Sequence, residues 1–129
     1  MDENEVYDKL TQLDEEIVKL KGKDHYDPRI AFGYTIKPLK PSLWLVDLFV
    51  TPKPGFNIDD VKKVIYVLHP TFNPNKIAKV NSKDFFHLQL QSWGDFHAMA
   101  VVVFKNPKVQ PVQLIRWLPI GVPSEPQST

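Results

Sequence analysis

The stretch FFHLQLQSWGDFHAMAVVVF, residues 85–104, decides the fold. Apolar side chains fall at every second position on both sides of the segment SWGD, from Phe86 to Leu90 before it and from Phe96 to Phe104 after it. A period of two predicts half-buried β-strands, and the Gly and Asp of SWGD are typical of a turn. The stretch therefore predicts two adjacent strands that are joined by a turn, and a hairpin of these strands would pair Leu90 with Phe96.

The same alternation extends outward along the chain and predicts further strands at 30–37, 42–50, 62–68 and 111–118. Six to eight strands are expected, and the segment 75–81 would add one of them if it pairs at an edge. Turns are frequent, prolines outnumber glycines by twelve to five, and no strand alternates with a helix. This organisation predicts an all-β, immunoglobulin-like β-sandwich.

One amphipathic helix is expected at the N-terminus, within residues 2–21. Its apolar positions are spaced by four and three residues and form a single seam: Val6, Leu10, Leu13, Ile17 and Leu20. Such a seam indicates either a helix that docks on its own domain or one that forms a homodimer or docks on a partner. The expected organisation is a helix at 1–24, a sandwich at 25–119 and a flexible tail at 120–129.

Composition excludes several classes of protein. The 129 residues suit a single domain, 43% of them are hydrophobic, and the formal net charge is only +1. A nucleic-acid-binding domain usually carries a concentrated basic excess, so direct binding of nucleic acid is not expected. No apolar run approaches the ~20 residues of a membrane span. The acidic N-terminus has no apolar core and is not a signal peptide, which favours a cytoplasmic protein, or a nuclear one in a eukaryote.

The sequence does not predict an enzyme or a bound cofactor. It lacks cysteine, and it contains no nucleophile elbow, phosphate-binding loop or HExxH motif. The predicted pairing of Leu90 with Phe96 would make His87 and His97 diagonal neighbours on an exposed sheet face. No third ligand accompanies them, and no metal site is expected.

Two aromatic residues lie outside the predicted strands. Phe72 is in the loop LHPTFNPN, residues 68–75, between Pro70 and Pro74, and Trp93 is in the turn SWGD. A large ring in a loop either packs back onto the core or lines a surface cavity. The loops at one end of an immunoglobulin-like sandwich often form the recognition site, so both interpretations remain open.

Two segments together resemble the YEATS domain, especially its prokaryotic-type branch: KKVIYVLHPTFNPN at 62–75 and DFFHLQLQSWGDFHAMAVVVFKN at 84–106. Trp44 in SLWLVDLFV is similar to an early tryptophan of that family, and the resemblance extends over residues 42–118. It implies an immunoglobulin-like sandwich that reads acylated lysine on a protein partner without catalysis. Phe72 and Trp93 would then enclose the flat acyl-amide, Thr71 would bond it, and His69 would orient the Thr71 hydroxyl.

The resemblance also implies that Gly94 lets the backbone approach the ligand and that Phe96 lines the pocket. The sequence departs from the family pattern before the turn aromatic, where Gln91 and Ser92 replace a glycine-containing segment. The alternative function is that of a structural or interaction domain. In that case the two loop rings would fill the end of the sandwich, and the N-terminal seam would bind the partner.

Overall fold

A computed structural model describes the chain from Asp24 to Ile120. The predicted N-terminal helix with its seam, and the tail beyond residue 120, lie outside the described residues. The described residues form seven strands: β1 (Ile30–Lys40), β2 (Leu43–Pro52), β3 (Val61–Val67), β4 (Lys76–Lys79), β5 (Leu88–Ser92), β6 (Phe96–Phe104) and β7 (Val112–Leu118). Two single-turn 3₁₀ helices, Ile58–Asp60 and Ser82–Asp84, precede β3 and β5.

The strands form two antiparallel sheets, in the orders β1–β2–β5 and β4–β3–β6–β7. The core lies between the sheets, where β2 contributes Val46, Leu48 and Val50, and β3 contributes Val64 and Tyr66. The all-β sandwich is confirmed, and β4, at the edge of its sheet, lies within the segment 75–81.

The predicted pairing of the strands on either side of SWGD is wrong. Leu90 in β5 pairs with Val46 in β2, whereas Phe96 in β6 pairs with Leu118 in β7. The turn therefore crosses from one sheet to the other instead of closing a hairpin. Alternation identifies the apolar face of each strand, but here the two apolar faces meet across the core rather than side by side.

The prediction that His87 and His97 are neighbours is also wrong, because β5 and β6 belong to different sheets. His87 lies just before β5, and its Nε2 is 2.6 Å from Oδ1 of Asp47 in β2. His97 lies in the other sheet, is only 5% exposed, and packs on the ring of Trp117 with 4.7 Å between centroids. Among residues 24–120, no group of three or more potential metal ligands occurs.

All nine residues of β6 are buried, so both faces of this strand are covered. The sequence predicted only Phe96, Ala98, Ala100, Val102 and Phe104 to face inward. The other face carries a second apolar group, here called the outer cluster: Ile65, Val67, Met99, Val101, Val103 and Ile115.

Both ends of the described chain contact the sandwich. The Asp24 carboxylate accepts a hydrogen bond from the Trp117 N–H at 2.8 Å. Ile120 is 1% exposed and belongs to the core. The division of the chain into helix, sandwich and tail stays a prediction. No helix among the described residues is long and apolar enough to cross a membrane.

Candidate functional site

One end of the sandwich carries a cavity of about 380 Å³. Strand β3 ends at Val67 beside Met99 of β6, so the loop 68–75 lies next to the start of β6. The crossing turn after Ser92 brings Trp93 and Gly94 over the same end. The cavity is lined by His69, Thr71, Phe72, Asn73, Gln91, Ser92, Trp93, Gly94, Asp95 and Phe96.

All six residues to which the sequence assigned a ligand-binding role line this single cavity. Their function as ligand contacts stays a prediction. Sequence reasoning did not assign Asn73, Gln91 or Asp95 to the site. They could have been found from their positions, which are next to Phe72 or within two residues of Trp93. Neighbouring residues of a loop often line the same cavity.

The polar wall consists of a tight local turn. The Thr71 backbone N–H donates to Nδ1 of His69 at 3.2 Å, and the Phe72 N–H donates to the His69 carbonyl at 2.9 Å. Because Nδ1 accepts from the amide, we assign the proton of the neutral ring to Nε2. In this tautomer the Thr71 hydroxyl, 3.0 Å away, donates to the same lone pair of Nδ1. The lone pairs of the hydroxyl oxygen are then available to a ligand.

The base of the loop is fixed by Asn75. The Leu68 N–H donates to the Asn75 carbonyl at 2.7 Å, and the Asn75 side-chain amide donates to the Leu68 carbonyl at 3.1 Å. The peptide bond between Asn73 and Pro74 is cis. These contacts close the loop at its two ends and hold Thr71 and Phe72 at the end of the sandwich.

The aromatic walls differ in burial. Phe96 is 5% exposed and forms part of the core, and the half-buried ring of Phe72 packs on it with 4.9 Å between centroids at 54°. Trp93 is 78% exposed, so its ring is open to solvent. Phe96 and Phe72 thus provide a rigid apolar surface, and Trp93 provides a ring whose faces a ligand can cover.

The crossing turn is held by Ser92, which directly precedes Trp93. Its hydroxyl donates to the Gly94 carbonyl at 2.9 Å, and the side chain is buried. No heavy atom lies within 4 Å of the place where a Cβ on Gly94 would be, so the space beside this backbone is open. Burial raises the pKa of the Asp95 carboxyl above its ordinary value.

Comparison with known proteins identifies relatives of this fold. A family model for the prokaryotic YEATS domain matches residues 44–115. The crystal structure of the yeast AF-9 homologue Yaf9 matches with a TM-score of 0.59 and 23% identity, over 71% of each chain. The Yaf9 YEATS domain bound to H3K27ac has a TM-score of 0.59 and 21% identity, over 79% of this chain and 78% of that one.

A third structure shows the Yaf9 YEATS domain recognising an H3K122suc peptide. It has a TM-score of 0.57 and 22% identity, over 80% of this chain and 79% of that chain. At this level of identity the structural likeness establishes the sandwich fold, and the family model identifies the sequence signature within it.

Proposed function

The chain belongs to the prokaryotic YEATS domain family, and on that premise we propose that it is a non-catalytic reader. Its ligand is an acylated lysine, or a similarly flat group, on a protein partner. The group enters the cavity at the end of the sandwich, between Phe72 and Trp93, and bonds to the Thr71 hydroxyl.

The observation that supports this proposal best is the combination of an open aromatic ring with an oriented hydroxyl in one cavity. Trp93 is largely exposed, and the Thr71 hydroxyl is held by His69 Nδ1 at 3.0 Å with its lone pairs available. A volume of about 380 Å³ is sufficient for a small planar group.

The chemistry of acyl-lysine suits these walls. Acylation removes the charge of the ammonium group and leaves a planar amide. Aromatic faces stack favourably on such a group, whereas a hydrated ammonium would lose its water on entering an apolar cavity. The amide N–H needs an acceptor, since a buried unsatisfied donor costs about 1–3 kcal/mol, and the Thr71 oxygen provides one.

Two of the matched structures show the Yaf9 YEATS domain with such ligands, one recognising an H3K122suc peptide and one bound to H3K27ac. This supports an acylated peptide as the class of ligand.

The test is NMR titration of the full chain with acetyl-, crotonyl- and unmodified-lysine peptides of one sequence. We expect saturable shifts at residues 69–72 and 93–96 with the acylated peptides only, and saturation at a clearly higher peptide concentration in Trp93→Ala. Tyr26→Ala is the matched control, because Tyr26 is also strongly exposed but does not line the cavity.

Equal responses to acylated and unmodified peptides, or none at millimolar peptide, would overturn the reader function. The alternative of a structural or interaction domain would then hold. The Phe72–Phe96 contact would in that case serve only to close the end of the core.

A further inference from the structure

The outer cluster is an apolar surface on the side of the four-stranded sheet that faces away from the sandwich core. Its six residues, Ile65, Val67, Met99, Val101, Val103 and Ile115, are each at most 4% exposed. They are therefore as deeply buried as the core itself, although the sheet β1–β2–β5 lies on the opposite face.

Strand register places these side chains side by side. Ile65 pairs with Val101, and Met99 pairs with both Val67 and Ile115. Residues that are directly opposite in antiparallel strands share a face, so the cluster is continuous across β3, β6 and β7. A two-layer sandwich buries one face of each sheet, and burial of the second face requires a third layer.

We propose that residues 1–23 of the same chain form this third layer by placing their apolar seam on the outer cluster. The seam consists of Val6, Leu10, Leu13, Ile17 and Leu20. The proposal is independent of the ligand cavity, because none of its residues lines that cavity.

The position of the first described residues supports a cover formed by the same chain. Residue His25 forms an isolated bridge with Ile115, with N···O distances of 3.0 and 3.1 Å, and Ile115 belongs to the outer cluster. Asp24 is bonded to the backbone of Trp117 on the same strand. Residue 24, to which the segment 1–23 is joined, therefore lies directly beside the cluster.

The dimensions agree with a single helix. Fifteen residues from Val6 to Leu20 would extend about 22 Å as a helix at ~1.5 Å per residue. The cluster extends about 14 Å along β6, from Met99 to Val103, at ~3.4 Å per residue, and about 10 Å across three strands. A single helix with an apolar stripe is long enough to cover this area.

Charge is also complementary. Register places Lys63 opposite Val103 and Lys76 opposite Val67, so both lysines lie on the face of the outer cluster and border it. The segment 1–23 carries four lysines and seven acidic residues: Asp2, Glu3, Glu5, Asp8, Asp14, Glu15 and Glu16. An acidic helix seated on the cluster would bring carboxylates towards this basic border.

The test uses the absence of cysteine from the chain. Val101→Cys puts a single thiol in the outer cluster, and Val102→Cys puts one on the core face of the same strand. Each is combined with Leu13→Glu and Ile17→Glu in the full chain, and the rate of labelling by a thiol reagent is measured. We expect the Val101 thiol to react at least tenfold faster after the seam substitutions, and the Val102 thiol to stay slow.

Gln12→Glu is the matched control, because it adds a carboxylate beside the seam without altering it, and it should leave both rates unchanged. An unchanged rate at Val101→Cys in the seam variant would overturn the proposal. Equal acceleration of both thiols would also overturn it, since the seam would then be needed for the core itself rather than for a third layer.

Sedimentation velocity on the otherwise unaltered Val101→Cys chain distinguishes the two possible occupants. Protection of the thiol in a monomer, independent of protein concentration, supports the cover by its own chain. Protection that appears only at concentrations where a dimer forms would assign the surface to a second copy and overturn the intrachain proposal.

Discussion

Thr71 places two donors on a single atom of His69. Its backbone N–H and its hydroxyl oxygen lie 3.2 and 3.0 Å from Nδ1. In the tautomer with Nδ1 unprotonated, the imidazole accepts a hydrogen bond from the hydroxyl, and the hydroxyl oxygen is left as an acceptor at the surface of the cavity. This arrangement suits the N–H of a secondary amide better than a carbonyl or a carboxylate.

Replacing Thr71 by Val is expected to weaken binding of an acetyl-lysine peptide by up to about tenfold, which corresponds to ~0.5–1.5 kcal/mol for one neutral hydrogen bond. Stability should change little, because Thr71 is exposed. Isothermal titration calorimetry gives the affinity. Thr71→Ser keeps the hydroxyl and should bind almost as the unaltered chain does; equal losses in both variants would contradict the role of the oxygen.

Trp93→Ala and Phe72→Ala separate recognition from packing. Trp93 is largely exposed, so its removal should change the free energy of unfolding by less than about 0.5 kcal/mol. Phe72 packs on Phe96, so its truncation should cost about 1–3 kcal/mol. Both should weaken acyl-peptide binding by about 0.5–1.5 kcal/mol. Urea unfolding and calorimetry test this, and a large stability loss in Trp93→Ala would show a packing role instead.

The sequence predicts the faces of the strands better than their partners. Alternation placed Val64, Tyr66 and Leu68 on one face, and all three are in the core. It cannot specify which strand lies beside another, because that choice depends on contacts between distant parts of the chain. The sequence therefore predicted a hairpin at the turn after Ser92, although this turn connects the two sheets.

Burial of both faces of β6 is difficult to detect from alternation alone. The run from Ala98 to Val103 is uniformly apolar, which is typical of a strand covered on both sides, but the flanking His97 suggested an exposed face. The candidate site was easier to identify, because its residues lie in two short loops whose motifs are close together in the sequence. The hydrogen bond from Ser92 to the Gly94 carbonyl could not be predicted from a motif, because it depends on the geometry of the turn.

Stability should fall in mild acid because of His97. Burial lowers the pKa of this imidazole, although the nearby Asp24 carboxylate acts in the opposite direction. The unfolded chain therefore takes up a proton near pH 6.5, before the folded chain does. The free energy of unfolding is then lost as the pH falls below about 6.5, by at most ~1.4 kcal/mol per pH unit for one proton.

Urea unfolding at pH 7.5 and pH 5.5 measures this loss. The variant His97→Asn should show a smaller difference between the two pH values than the unaltered chain. The substitution His25→Asn removes an exposed imidazole and serves as the control. An identical pH dependence in His97→Asn and the unaltered chain would exclude His97 as the source.

Asp27 should stabilise the start of β1 through its bonds to Arg29. Its Oδ1 accepts from the Arg29 backbone N–H at 2.7 Å and from Nε at 3.0 Å, and its Oδ2 accepts from a terminal guanidinium nitrogen at 3.0 Å. The hydrogen bonds from the Arg29 side chain lower the pKa of this carboxyl despite its burial. The stabilisation is therefore present above the unfolded pKa of ~3.9 and is lost as the pH falls through the lower folded value.

We expect Asp27→Asn to reduce the free energy of unfolding at pH 7 by about 1–2 kcal/mol, a value that allows for solvent screening of the half-exposed Arg29. The difference between the two chains should shrink progressively below about pH 4, because the unaltered carboxyl then becomes neutral as well. Urea unfolding at pH 7 and pH 3 tests both statements. Asp60→Asn, at an exposed carboxylate, is the matched control. A difference between Asp27→Asn and the unaltered chain that is the same at both pH values would mean that the side chain acts through its shape and neutral hydrogen bonds, not through its charge.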